Sequence, residues 1–330
     1  MRRNTVLKAV VILLSVTVLL VGGYFVGRHF ETAGTEQQRS TTSSDFGTLD
    51  RIEYNGKTYV HKSSMTTLLA IGYDQDETEE RVGYRSGGQS DFLMLFVIDH
   101  SSKTIRRLQI DRDTMTSITT VSVLGKRAGS RVTHICIAHC YGGTEQENCE
   151  YTVEAVSNLL QGEEIELYLS IGLDSIAVLN DALGGVTVTL PEDFSSLDAS
   201  MTKGTTMTLH GKQAEYLVRS RMYVGDGTNA SRMTRQKVYM TAAVQKLREN
   251  IAQNSSFIGE LYDTLGTALT TNMSRGRMVN EVNRAWKYTM GEIEYLEGTY
   301  SKGDDGFTQF HADEDALIRW VIDAFYDEAK

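Results

Sequence analysis

From Ala9 to Gly27 the chain runs nineteen residues without a charged side chain. At about 1.5 Å rise per residue, a helix of that length nearly spans a hydrocarbon core of roughly 30 Å. Arg2, Arg3 and Lys8 precede the run, so its basic flank is expected to keep residues 1–8 in the cytoplasm and to export the rest of the chain. The run is longer than a typical signal-peptide core and no small-x-small cleavage site comes after it, which favours an uncleaved, single-pass anchor at the cell membrane, N-terminus inside. Residues 28–62 then read as a flexible stalk, rich in Thr, Ser, Gln and Glu over 31–48. Residues 63–330 read as one extracytoplasmic domain.

Beyond residue 30 there are 29 basic against 43 acidic residues, a formal charge of −14. That balance argues against a nucleic-acid partner. An anionic ligand would need basic residues gathered in one place, or a divalent cation, because a diffuse negative field repels it. Cys136, Cys140 and Cys149 lie where disulfides can persist. Cys140 and Cys149 flank Gly142-Gly143 and are expected to close a small loop, with Cys136 a buried small hydrophobe. Their spacing with His134 and His139 matches no common zinc site.

The apolar run Phe92–Ile98 fits a strand buried on both faces. After the turn His100-Ser101-Ser102-Lys103, Thr104–Ile110 returns as its hairpin partner, which should bring Asp111-Arg112-Asp113-Thr114 next to Asp91. Tyr151–Leu160 is helical in pattern, Ile165–Ile171 alternates as a strand, and Ser175–Leu183 is again helical up to Gly184-Gly185. With Val186–Leu190 as a strand, residues 165–190 make a strand-helix-strand unit whose strands should be parallel. Met233–Asn250 reads as a long helix with Met233, Met240, Val244 and Leu247 on an apolar stripe and Arg232, Arg235, Gln236 and Tyr239 on a neighbouring, binding face. Helices around Arg277–Met290 and Asp313–Asp327, and a short strand Phe307–Phe310, complete an α/β domain with a mixed central sheet flanked by helices.

Two arginine pairs could carry chemistry. Val218 puts Arg219 and Arg221 at the end of a short apolar segment, expected to be a strand presenting both guanidinium groups on one side. Arg232 and Arg235 sit in the first turn of a helix, whose amide dipole favours an anion. Asp74, Asp91, Asp111 and Asp113 are the acidic counterpart, suited to a hard cation such as Mg²⁺ that shares its ligands with substrate phosphates. Ordinary surface ion pairs and turn caps are the plain alternative. No nucleophile elbow, HExxH, GxxxxGK[ST] or GxGxxG occurs, which leaves covalent serine chemistry, zinc proteolysis and common nucleotide binding without support.

Five segments in order resemble the LytR-CpsA-Psr family of Gram-positive envelope enzymes: Ser90-Asp91, Ile110-Asp111-Arg112-Asp113-Thr114, Asp181–Val186, Arg219-Ser220-Arg221 and Arg232-Met233-Thr234-Arg235-Gln236. The resemblance implies a sheet with a hydrophobic pocket for the polyprenyl tail of a pyrophosphate-linked glycan. It implies that Arg112, Arg219, Arg221, Arg232 and Arg235, helped by Gln236, grip the pyrophosphate, while Asp74 and Asp91 hold Mg²⁺. The implied reaction is attack of a peptidoglycan hydroxyl on the sugar-proximal phosphorus, joining a teichoic acid or capsular polysaccharide to the wall by a phosphodiester. Asp91 or Asp113 is the implied proton acceptor. Departures are Gln89 where an arginine is common, Asp111 where Pro or Glu is common, and a longer loop between the arginine pairs. A pyrophosphatase using water as acceptor, and a lipid-linked-glycan-binding or regulatory protein without turnover, are the alternatives.

Overall fold

The apolar run Phe92–Ile98 lies at the centre of the fold. In the computed structural model, which describes residues 50–74, 87–220 and 224–329, it is the middle of strand Gln89–Asp99. The expected cytoplasmic segment 1–8, anchor 9–27, stalk residues 28–49 and Arg221 lie outside the described residues. Among the described residues no helix is long and apolar enough to cross a membrane.

Strands β1 (Arg51–Tyr54) and β2 (Lys57–His61) pair through Asn55-Gly56, both at positive φ, as a two-residue hairpin of primed type requires. The last part of the expected stalk, residues 50–62, is therefore folded, and alternating Ile52, Tyr54 and Tyr59 pack on the core. β3 (Met65–Asp74), β4 (Gln89–Asp99) and β5 (Thr104–Ile110) form an antiparallel meander, with Leu93 opposite Ile110 as the hairpin reading requires. β6 (Met115–Val121) and β7 (Arg127–His134) form a separate hairpin. Helix α1 (Glu145–Leu159) starts six residues before the expected Tyr151, because Thr144 caps it by accepting from the Glu147 amide.

β8 (Leu167–Gly172) lies parallel to β3, and helix α2 (Ile176–Ala182) comes after it. β9 (Val186–Thr189) then pairs antiparallel with β10 (Thr206–Leu209), outside the central sheet. This corrects the expected parallel unit: Gly184 and Gly185, both left-handed, turn the chain away after a two-turn helix. α3 (Lys212–Arg219), α4 (Asn229–Gln253) and α5 (Phe257–Leu265) come next, then β11 (Leu269–Thr271) and α6 (Arg275–Ala285). α6 stops short of the expected Met290, since β12 (Thr289–Tyr295) takes the free parallel edge of β5. β13 (Gly298–Lys302) and β14 (Thr308–Ala312) form a hairpin, and α7 (Glu314–Phe325), capped by Asp313, leads into β15 (Tyr326–Glu328) against β2.

The central sheet has the order β11-β8-β3-β4-β5-β12 and is mixed. Its two faces are covered unequally. On one, Leu69, Ile71, Leu93, Leu95, Val97, Leu108 and Ile110 are all buried to 3% exposure or less and pack with residues of α1 and α7. On the other, Ala70 and Met94 are buried, but Phe92, Phe96 and Leu169 are only half-buried, in a cluster that takes in Met240 of α4 and Ile293.

None of the three cysteines is in a disulfide, which corrects the expected Cys140–Cys149 pair. Cys149 lies on the core-facing side of α1, fully buried, and burial pushes its thiol up to about 12. Cys136 is buried as expected.

Candidate active site

The β4–β5 hairpin brings Arg112 back over the start of β4. There the Arg112 guanidinium donates through Nη1 to Asp91 Oδ1 and through Nη2 to Gln89 Oε1. Its Nε lies 3.5 Å from Asp113. The second Asp91 oxygen accepts from Arg232 Nη1 at 2.6 Å, so one carboxylate bridges a strand-end arginine and a helix arginine. Arg232 also donates to Asn229 Oδ1 at 2.7 Å, and Asn229 donates to Asp111 Oδ1 at 2.8 Å. Asp111 is therefore an anchor of the hairpin end, and its other oxygen accepts from Tyr300 at 2.6 Å.

β3 ends at Asp74, beside Gln89 of β4. Asp74 accepts from Arg219 Nη2 at 2.6 Å, and Arg219 Nη1 bonds Glu215 at 2.9 Å. Arg219 is thus the last residue of a helix, not of the expected strand, and its i,i+4 partner sits on the preceding turn. Arg235 donates to the Ser220 carbonyl at 2.5 Å and pairs with Glu192 at 3.2 Å. Gln236 accepts from Gln109 at 3.0 Å and reaches the Val218 carbonyl at 3.4 Å. The start of α4 therefore holds the end of α3 in place by its backbone.

The four described arginines of the candidate site divide by exposure. Arg219 and Arg112 have side chains 37% and 16% exposed, whereas those of Arg232 and Arg235 are 1% exposed. The helix face expected to bind ligand is packed inside the protein, with Gln236 and Tyr239 also buried. Burial lowers the Arg235 pKa, with Arg232 adding to the effect against Glu192. Burial pulls Arg112 the same way, but the Cys136 sulfur, Asp91 and Asp113 outweigh it and hold the guanidinium raised. Both remain cations at any working pH.

Among the described residues no group of three His, Cys, Asp or Glu is placed to hold a metal by itself. Asp74 and Asp91, at neighbouring strand ends, nonetheless suit Mg²⁺, which needs only one or two carboxylates plus substrate phosphates. The arginines on Asp91 do not exhaust it, since a carboxylate has about four lone-pair sites. His134 and His139 are structural, bonded to the Thr308 and Gly88 carbonyls.

Asn229, Glu192, Gln109 and Tyr300 join the site without having been singled out in the sequence. Asn229 had a signal: it lies three residues before Arg232 and one after the capping Thr228, hence on the same helix face. Glu192, in an ordinary Pro-Glu-Asp turn, had none.

The family model described as the LytR_cpsA_psr family matches residues 24–320. Polyisoprenyl-teichoic acid–peptidoglycan teichoic acid transferase TagU of Bacillus subtilis (strain 168) is 25% identical over 319 residues, which are 96% of this chain and 94% of TagU. The crystal structure of B. subtilis TagV superposes with a TM-score of 0.62 at 22% identity, covering 79% of this chain and 97% of that one. A structure of TagT bound to LI-WTA superposes with a TM-score of 0.59 at 21% identity, covering 79% of this chain and 89% of that one.

Proposed function

This chain belongs to the LytR-CpsA-Psr family, and from that premise we propose that it is a membrane-anchored transferase moving a glycopolymer from a polyprenyl-pyrophosphate carrier to a peptidoglycan hydroxyl. The observation that carries the reading is the cluster at the ends of β3, β4 and β5, where Arg112 and Arg219 reach the surface beside Asp91 and Asp74. Two partly exposed guanidinium groups, held by carboxylates that phosphate oxygens can replace and backed by two buried arginines, suit a pyrophosphate.

In this reading Arg112 and Arg219 contact the phosphate oxygens, exchanging carboxylate partners for phosphate. Arg232 and Arg235 hold Asp91 and the α3 end behind them, and Arg221, two residues after Arg219 in sequence, is proposed to join the grip. Asp74 and Asp91 would hold Mg²⁺, which when bound neutralises charge on the phosphate oxygens. The acceptor oxygen forms a bond to the sugar-proximal phosphorus, the bond from that phosphorus to the bridging oxygen breaks, and polyprenyl phosphate leaves. The hydroxyl proton passes to a carboxylate. Asp113 and Asp91, the two carboxylates beside Arg112, are the candidates for it. The half-buried apolar face of Phe92, Phe96 and Leu169 is the proposed seat of the polyprenyl tail.

The test is incubation of the full chain with a polyprenyl-pyrophosphate-linked glycan, peptidoglycan and Mg²⁺. Glycan joined to the wall with release of polyprenyl phosphate is expected. Release of free phosphorylated glycan would make the protein a pyrophosphatase, and retention without products a binding protein. For the proposed anchor, protease added outside wall-stripped cells should remove everything beyond the stalk, and recovery of a freely soluble shortened chain would overturn it.

A further inference from the structure

We propose that Tyr300 and Asn229 are positioning residues that set the spacing of Arg112 and Arg232 around Asp91, acting through the Asp111 carboxylate. The inference rests on the pyrophosphate reading and adds to it the part of the molecule that keeps the grip in register. Asp111 is 6% exposed. Its oxygens are taken by three donors: Tyr300 Oη at 2.6 Å on Oδ2, and Asn229 Nδ2 and the Asp113 amide, each at 2.8 Å, on Oδ1.

The polarity of this arrangement is forced. A carboxylate only accepts, so Asn229 must turn its NH₂ toward Asp111 and its carbonyl toward Arg232, which donates to it at 2.7 Å. Arg232 then meets Asp91 with Nη1, and Asp91 meets Arg112 with its other oxygen. A continuous run of hydrogen bonds thus leads from Tyr300 through Asp111, Asn229, Arg232 and Asp91 to Arg112. The Asp113 amide bond to Asp111 also closes the turn that carries Arg112, so Asp111 fixes both arginines at once.

The β13–β14 hairpin holds this turn from a second side. Phe310 donates its amide to the Asp113 carbonyl at 2.8 Å, and Phe310 forms an isolated parallel bridge with Thr114. Tyr300 and Phe310 are cross-strand partners whose rings lie 5.0 Å apart, which orients the Tyr300 hydroxyl. Tyr300 is otherwise 55% exposed, so its hydroxyl bond and not its burial is what the site draws on. Without that bond the Asp111 carboxylate can rotate, Asn229 loses its fixed orientation, and the two guanidinium groups lose their mutual register.

The test is a double-mutant cycle on the full chain, with turnover of a polyprenyl-pyrophosphate-linked glycan, binding of geranylgeranyl pyrophosphate and thermal melting measured together. Tyr300→Phe keeps the ring and removes one hydroxyl. It is expected to lower kcat about ten-fold with donor KM within about two-fold and the melting temperature nearly unchanged. Asn229→Ala should lower kcat at least as much, and adding Tyr300→Phe to it should cost less than about two-fold more, because both act through Asp111. Multiplying effects, or a kcat for folded Tyr300→Phe equal to wild type, overturn the inference. A wild-type chain that neither turns over the donor nor binds geranylgeranyl pyrophosphate overturns the pyrophosphate reading itself, and this inference with it.

Discussion

Asp91 accepts from Arg232 at 2.6 Å across 141 residues of sequence, and it does so where both side chains are at least 95% buried. A buried ion pair of this kind adds little net stability, because desolvation offsets attraction. Its effect is geometric: it fixes the start of α4 against the start of β4. The remaining oxygen of Asp91 is thereby aimed at Arg112, the arginine nearer the solvent. The same carboxylate thus ties the core to the surface proposed to meet the pyrophosphate.

The two arginines on Asp91 should separate function from stability. Arg112→Ala leaves Asp91 still bonded by Arg232, so the melting temperature should move by only a few degrees. Turnover should fall on the order of 10²–10³, as expected for loss of a donor facing charge that builds in the transition state. Arg232→Ala removes a fully buried partner and should cost about 3–5 kcal/mol in urea unfolding as well as turnover. Equal stability of the two variants would refute this division of roles.

Metal dependence is expected from Asp74 and Asp91, which stand near the ends of the paired strands β3 and β4. Chelation should stop turnover and Mg²⁺ restore it. Asp74→Asn should raise the Mg²⁺ concentration needed for half-maximal rate, read by titration, because one hard anionic oxygen is lost. A rate indifferent to chelator removes the metal from the mechanism.

The hairpin that joins Asp91 to Arg112 was legible because alternation and a polar turn determine register, and register determines which residues meet. Placement of Arg219 was not. Its segment Ala214–Val218 is short and apolar, and eight residues are too few for local pattern to separate strand from helix. Burial of Arg232 and Arg235 was equally hidden, since arginine on a helix face is ordinarily solvated and only tertiary partners such as Asp91 and Glu192 reverse that. The detour of β9 out of the sheet depends on two left-handed glycines, whose presence signals a turn but not its direction.

Thiol reactivity distinguishes the three cysteines. Burial pushes Cys136 and Cys149 up to about 12, whereas Cys140 is half-buried. Iodoacetamide applied to the native protein near pH 8 should modify Cys140 alone, seen by peptide mass spectrometry. A peptide linking Cys140 to Cys149 would overturn this.

His61 supplies a pH-dependent contribution to stability. It bonds the buried Glu163 carboxylate at 3.1 Å, and that hydrogen bond raises its pKa against the opposing effect of burial. A group raised in the folded state stabilises fully below its unfolded value, about 6.5. That stabilisation is lost as pH climbs through the raised folded value. Melting temperature should therefore decline over this interval in wild type more than in His61→Gln, and identical pH profiles would count against the pairing.

The unequal sheet faces make the proposed lipid seat testable by filling it. Leu169 of β8 is half-buried on the face shared with Phe92, Phe96 and Met240, while the opposite face is closed. A core residue left open in mid-sheet has room beside it, so enlarging it should not strain the fold as overpacking a closed core does. Leu169→Trp should therefore keep its melting temperature but fill the proposed seat of the polyprenyl tail. A long-chain donor buries many methylenes there, at about 0.8 kcal/mol each, whereas a short-chain donor depends mainly on the arginines. KM for the long-chain donor should rise about ten-fold or more, as loss of two or so buried methylenes implies, with kcat for a short-chain donor unchanged. Both donors unaffected, in a variant that folds normally, would place the lipid tail elsewhere.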